Sequence, residues 1–402
     1  MNWGILAPES IISQRRQQNL GLASAVRHFN DRSVPGLGGM WFPMPILWSV
    51  LAVSIAEERC VPALPVGNAI EALMMQQATK KGLVDLRVRG ARKMYGLKDW
   101  SFTNLKRRGT YVVQPIRMAM VQPLVALSFV RGSRYGSFAI HTAGQQMLTL
   151  PVMANYRRVL GEWAHGKNPN GLNKVITELS PTAVVPYEVQ KLILARLIGG
   201  DDPSTSRRRA LVELGTGPSA SQLDAVEPLT GITPDHWTDL RAGAAFMDLR
   251  KAALAVLHHL EHRLIELRDA NEAAVLSIND ASNAAGEPLA ALRRYAQQQG
   301  DRIDAGSEAT SRKFLSEVRD LSAPQLLQKL AERDGTVIRW HDGRFGLGPA
   351  AGEISIGDED EPSKDAKFAP QLFRVYNLHC VATELKGATN PRCRDSADVA
   401  PA

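Results

Sequence analysis

PLVALSFVRGSRYGSFAIHTAGQQML, residues 123–148, passes from helix-like to strand-like and back to helix-like spacing. Leu124, Val125 and Leu127 continue an apolar face begun by Met118 and Val121, so a helix is predicted from Pro115 through Ser128. Phe129-Val130 and Tyr135 to Ile140 are strand-like runs around the basic tetrad Arg131-Gly132-Ser133-Arg134. Thr142-Ala143-Gly144 then starts another helix, through Leu150. Upstream, Ser101 to Arg108 reads as a short helix that Gly109 ends, and Thr110 to Gln114 reads as a turn. The predicted order is helix, turn, helix, hairpin, helix. Pro123 lies inside the second helix, where it removes a backbone hydrogen bond at a cost of roughly 3 kcal/mol unless the helix kinks or ends there.

Charge singles out the same region. The 402 residues carry a formal net charge of +7. Residues 1–79 hold five Arg against five acidic residues, whereas residues 80–134 hold thirteen Lys or Arg against only Asp85 and Asp99, a net of +11. The rest of the chain is therefore acidic, at −4. Positive charge confined to one short window is the distribution of a surface that neutralises phosphates. The competing explanation is that these side chains solvate helix faces or pair with carboxylates elsewhere.

The run over residues 101–150 resembles the winged helix-turn-helix of MarR-like and PadR-like bacterial regulators. The resemblance rests on Ala126-Leu127-Ser128-Phe129-Val130, on the hairpin, and on Thr142-Ala143-Gly144. It implies that the helix after Pro115 enters the major groove of duplex DNA and that the wing tip meets the adjacent backbone or minor groove. It also implies DNA contacts by Arg117, Arg131, Arg134 and Tyr135, beside the triplet Lys106-Arg107-Arg108. That triplet would equally suit the C-terminus of its short helix, where positive charge favours the dipole. The order of the whole chain is vaguely similar to uncharacterised bacterial proteins encoded near phage-defence genes.

Beyond this window, helices are predicted near 9–28, 46–59 and 66–81, with a mainly helical region over 143–334. Ser33 to Ala56 carries no charge, but Pro35, Pro43 and Pro45 leave only Ile46 to Ala56 unbroken. That is roughly 16 Å of helix, half of a bilayer core, so a buried helix is expected and no membrane partner. Leu240, Met247, Leu254, Leu257, Leu260, Leu264 and Leu267 share one helix face behind Pro234, expected to pack on the Ala-rich segment Asn271 to Ala285 or on another chain. A second helix-and-hairpin unit is expected at Ala323 to Gly348, turning at Asp342-Gly343. Turn residues at Gly199 to Pro203 mark a loop, and the acidic cluster at 358–362 marks disorder.

The segments expected are 1–65, an N-terminal helical segment; 66–150, the basic winged-helix-like domain; 151–334, a helical domain; 335–348, the hairpin; and 349–402, a largely disordered acidic linker and tail. The fold class is mainly α: a multidomain helical protein with a winged helix-turn-helix module and a C-terminal helix-hairpin unit.

Other constellations are less specific. His258 and His262 lie one turn apart with Glu266 a turn beyond, the spacing of a two-histidine metal pair, but no further ligand follows and an exposed polar helix face explains them. His165-Gly166-Lys167 has a phospholipase-D-like ring, yet Leu172 stands where an aspartate is needed. Glu384-Leu385-Lys386 after an apolar run resembles the end of a restriction-type nuclease strand, with Asp365 as the second carboxylate for Mg²⁺. A charge pair in a terminal helix explains the same residues. A P-loop, a Gly-x-Ser-x-Gly elbow and a cysteine-protease signature are all absent. Three cysteines, Cys60, Cys380 and Cys393, are too few for a zinc finger or a disulfide scaffold. No basic residue precedes Arg15, so no secretory signal is read and a cytoplasmic location is expected. The expectation is thus a DNA-binding protein without cofactor, a regulatory or phage-defence component with duplex DNA as partner and further protein partners or a homodimer in reserve. The alternatives are a scaffold subunit that does not bind DNA and the C-terminal metal-dependent nuclease.

Overall fold

In the computed structural model, which describes residues 18, 20–215, 219–352 and 372–393, the helix Met44–Glu58 is buried around its whole circumference from Met44 to Ala56. A helix apolar on every side must be enclosed on every side. Ala63–Met74, Pro151–Ala164, the 3-10 turn Ile116–Met120 and the strand Ala139–Ile140 enclose it. Leu47, Leu51 and Ile55 each contribute roughly 1.5–3 kcal/mol by leaving water. Trp48 donates its indole N–H to the carbonyl of Leu179 at 2.8 Å, so the one polar atom of that ring is satisfied.

The described residues are mainly helical, with five short strands, and among them no helix is long and apolar enough to cross a membrane. The chain divides into two compact units, each assembled from separated stretches. One takes residues 34–217, 229–232 and 373–402, the other 1–33, 218–228 and 233–372. The first holds 27 Lys and Arg against 14 Asp and Glu, net +13; the second holds 21 against 27, net −6. They are called the basic and the acidic unit below.

In the basic unit, the helix expected over 66–81 is broken at Met75 into Ala63–Met74 and Gln76–Lys80. The tail corrects another expectation. Phe373–Leu385, placed by sequence in a disordered segment, is a helix packed on Tyr187–Leu194 and Pro203–Glu213, with Val375, Leu378, Val381 and Leu385 buried. Burial of those side chains supplies what the neighbouring acidic run cannot. The acidic cluster at 358–362, Asp365 and the chain beyond 393 lie outside the described residues.

The acidic unit is built on the helix Pro234–Asp269, 36 residues long, opened by Thr233, whose hydroxyl accepts the N–H of His236. Proline at its first position needs no N–H partner. Its main partner is the helix Gly286–Ala305, followed by Ala23–Ser33, and the expected Ala-rich segment packs on it less extensively. That segment forms the strand Val275–Ser277 and the short helix Ile278–Ala284 instead. Of the helix expected over 9–28, residues 9–17 lie outside the described part, and the observed helix begins at Ala23. The late hairpin forms as read. Ile338–His341 pairs antiparallel with Arg344–Leu347 across Asp342 and Gly343, both at positive φ (48° and 74°), the geometry of the tight turn that asparagine or aspartate followed by glycine favours. Val275–Ser277 adds on the other side of Arg344–Leu347, and the directly opposed rings of Trp340 and Phe345 lie 4.6 Å apart.

Candidate nucleic-acid interface

The basic window folds into short pieces. The first predicted helix is the single turn Phe102–Leu105, with the Ser101 hydroxyl accepting the N–H of Asn104. The second is not continuous: a 3-10 turn, Ile116–Met120, hands over to the α-helix Val121–Ala126. Pro123 explains the hand-over. As third residue of a new helix it sits in the first turn, where no N–H has an intrahelical acceptor, so the cost of a mid-helix proline does not arise. Ser128, at φ 61°, ends the helix. A short antiparallel ladder follows, Val130 opposite Ile140 and Arg131 opposite Ala139, then the helix Thr142–Leu148. The Ile140 N–H donates to Glu57, which ties the ladder to the central buried helix.

The seven residues expected at DNA separate into two groups. Lys106, Arg107, Arg108, Arg131 and Arg134 are exposed. Arg117 and Tyr135 are not, which corrects their assignment. The Arg117 guanidinium lies 3.4 Å from the Glu71 carboxylate, their side chains 11% and 2% exposed. Glu71 also accepts the N–H groups of Ile116 and Arg117 at 2.7 and 3.2 Å and the Tyr111 hydroxyl at 3.3 Å. Burial pushes its carboxyl above the usual range, against the opposing pull of Arg117 and these hydrogen bonds. Arg117 therefore neutralises an internal carboxylate. Tyr135 is buried where its 3-10 turn packs on Ala63–Met74, its ring against Gly67 and 5.4 Å from Phe138. The neighbouring carboxylate Asp85 takes Arg87 as its own partner at 2.8 Å.

Ten of the thirteen cations remain exposed: Lys80, Lys81, Arg92, Lys93, Lys98 and the five named above. Among the described residues none of the ten is within ion-pair distance of a carboxylate. Other contacts hold three of them. Lys80 lies over the Trp100 ring, and Lys93 donates to the Tyr111 carbonyl at 2.8 Å. Lys106 and Arg59 both lie over Phe102, at 5.4 and 5.0 Å, and that ring meets Trp163 edge-on.

Arg59 also donates to the carbonyl of Ala164, the last residue of Pro151–Ala164. That helix and its exit line a cleft of about 520 Å³ containing Arg157, Arg158, His165 and Lys167. Glu58 and Glu162 in the same cleft are each matched by an arginine, Arg157 at 3.2 Å and Arg158 at 2.8 Å, which leaves Lys167 as its excess charge. His165 Nδ1 lies 2.8 Å from the Gly161 carbonyl, which can only accept, so Nδ1 carries the proton. Sequence reading missed Arg59 and this cleft because contacts over a hundred positions join them; the one local signal was the His165-Gly166-Lys167 triplet itself.

The remaining constellations form no metal site among the described residues, although His258, His259, His262 and Glu266 line one cavity of about 1070 Å³. His262 pairs with Glu266 at 3.1 Å, while His258 Nε2 meets Gln18 at 2.9 Å and His259 the Ala255 carbonyl, all on an exposed face. Among the described residues no group of three His, Cys, Asp or Glu is placed to hold a metal ion. Glu384 lies on a helix, not on the strand the nuclease reading requires, and accepts a hydrogen bond from Asn390 at 2.8 Å. Lys386 is exposed just beyond that helix, and Asp365 lies outside the described residues. No protein family, curated protein or solved structure was found to match this chain.

Proposed function

We propose that this protein binds duplex DNA through its basic unit, using a winged-helix-like surface. The observation that carries this reading is the set of ten exposed cations, none within ion-pair distance of a carboxylate among the described residues, inside a unit of net charge +13. Internal pairing consumes Arg87 and Arg117, Arg89 is half-buried, and the other ten stay at the surface. The element order of short helix, helix, two-stranded ladder and helix supports the winged-helix form of the reading, with Arg131 and Arg134 on the ladder and its tip. In that arrangement Val121–Ala126 approaches the groove and the ladder lies along the backbone. The helix exposes Gln122, Val125 and Ala126 and no cation, so phosphate contacts dominate over reading of base edges and the binding is largely independent of sequence.

Fluorescence-anisotropy titration of a labelled blunt duplex at several salt concentrations tests this. The expected result is a linear fall of log affinity with log salt, about 0.9 per phosphate neutralised. Replacing Lys106, Arg107 and Arg108 by alanine should reduce that slope by roughly two to three. A flat salt response would overturn the phosphate-binding reading, and an unchanged slope in the triple variant would remove the triplet from the interface.

A further inference from the structure

Apart from Tyr95, the aromatic side chains described in the basic unit are either buried or already covered. Tyr111, Tyr135 and Tyr156 are at most 6% exposed. Trp100 is covered by Lys80, Phe102 by Lys106 and Arg59, and Tyr187, although 64% exposed, by its own Lys191 at 4.2 Å. Tyr95 differs from all of these. It is 80% exposed, and among the described residues neither a ring nor a cation lies against it.

The position of Tyr95 gives that exposed ring its meaning. It directly follows the helix Ala91–Met94, which carries Arg92 and Lys93, and Lys98 lies three residues on. The same helix packs on Gln76–Lys80, which brings Lys80 and the adjoining Lys81 to its side. The Lys93 bond to the Tyr111 carbonyl ties this helix to the loop that bears Val113, itself 89% exposed. A solvated flat ring, with five cations carried by its own segment and by the helix packed beside it, meets the two requirements of a single nucleic-acid strand, a π-face for a base and positive charge for the flanking phosphates. A base stacked inside a blunt duplex cannot reach the ring.

We infer that Tyr95 stacks an unpaired base, so that the ligand class of the basic surface is DNA with a single-stranded stretch, held by Lys80, Lys81, Arg92, Lys93 and Lys98. The inference rests on the DNA-binding reading above and names its substrate class. It is tested with the full-length protein, a labelled twenty-nucleotide oligothymidine and a blunt duplex, comparing wild type with Tyr95→Ala and Tyr95→Phe. Tyr95→Ala should weaken oligothymidine binding roughly five- to 150-fold with the salt slope unchanged. Tyr95→Phe keeps the π-face and should stay within about twofold, and neither variant should alter duplex binding. Equal oligothymidine affinity for wild type and Tyr95→Ala overturns the inference, as does wild type that binds the duplex and not oligothymidine; both leave duplex binding standing. Wild type that binds neither DNA overturns the underlying reading together with the inference. Matching thermal melts of the three proteins confirm that the surface substitutions leave the fold intact.

Discussion

Glu71 and Asp239 are both buried carboxylates facing an arginine, yet their environments push them in opposite directions. Glu71 has its carboxyl raised, because burial outweighs Arg117 and the backbone donors. Burial acts in the same sense on Asp239, but hydrogen bonds from Arg32 and Ser307 and the Arg32 charge outweigh it and hold the carboxyl below its ordinary value. The consequences for stability have opposite signs. The Glu71 contribution is fully present below the unfolded value near 4.5 and is lost as pH rises through the raised value. The Asp239 contribution is present above 3.8 and is lost as pH falls through the lowered value. Urea melts of wild type and Glu71→Gln should therefore show wild type gaining on the variant between pH 7.5 and pH 5; a constant difference would contradict the raised carboxyl. Asp239→Asn should cost about 2 kcal/mol at neutral pH, as charge-assisted hydrogen bonds to a buried group do, and that deficit should shrink as melts are taken toward pH 3. Neither environment was legible in the sequence. Glu71 and Arg117 stand 46 positions apart, and Arg117 reads locally as one more surface cation.

Elements depend on local signals and on what packs against them. Asp342-Gly343 specifies its hairpin because both residues adopt the left-handed conformations the turn needs, and no distant contact is required. The helix Val121–Ala126 is set by Pro123, which sequence reading located but took as a defect inside a longer helix. Gly144 joins the two influences. At an exposed helix site Gly→Ala stabilises by up to about 1 kcal/mol, but here the added Cβ would run into the backbone carbonyl oxygen of Phe129. Backbone cannot swing aside as a long side chain can, so Gly144→Ala should destabilise the protein by roughly 1–3 kcal/mol and loosen the contact between Thr142–Leu148 and the ladder. Differential scanning calorimetry decides it: a melting temperature at or above wild type would mean the close approach does not exist. The helix Phe373–Leu385 was missed for the converse reason. Its buried residues face two neighbouring helices, so they show no single apolar stripe for periodicity to find.

At the scale of the molecule, charge is divided between units assembled from separated stretches, +13 in one and −6 in the other. If DNA binding belongs to the basic unit, reversing exposed cations of the acidic unit must be nearly silent. Arg294→Glu with Lys313→Glu should change duplex affinity by less than about twofold in an anisotropy titration; a loss like that of the Lys106, Arg107 and Arg108 variant would mean that the interface is not confined to the basic unit. The concentration of cations in residues 80–134, the uncharged helix after Pro43, the leucine stripe behind Pro234 and the turn at Asp342-Gly343 were all determined by the chain alone, because composition, periodicity and turn chemistry act over a few residues. Which cations are surface and which are internal counter-charges, which aromatic ring is left uncovered, and which distant stretches share a unit were decided only by the tertiary structure. Burial and pairing are properties of neighbours in space, and here those neighbours lie tens to hundreds of positions apart.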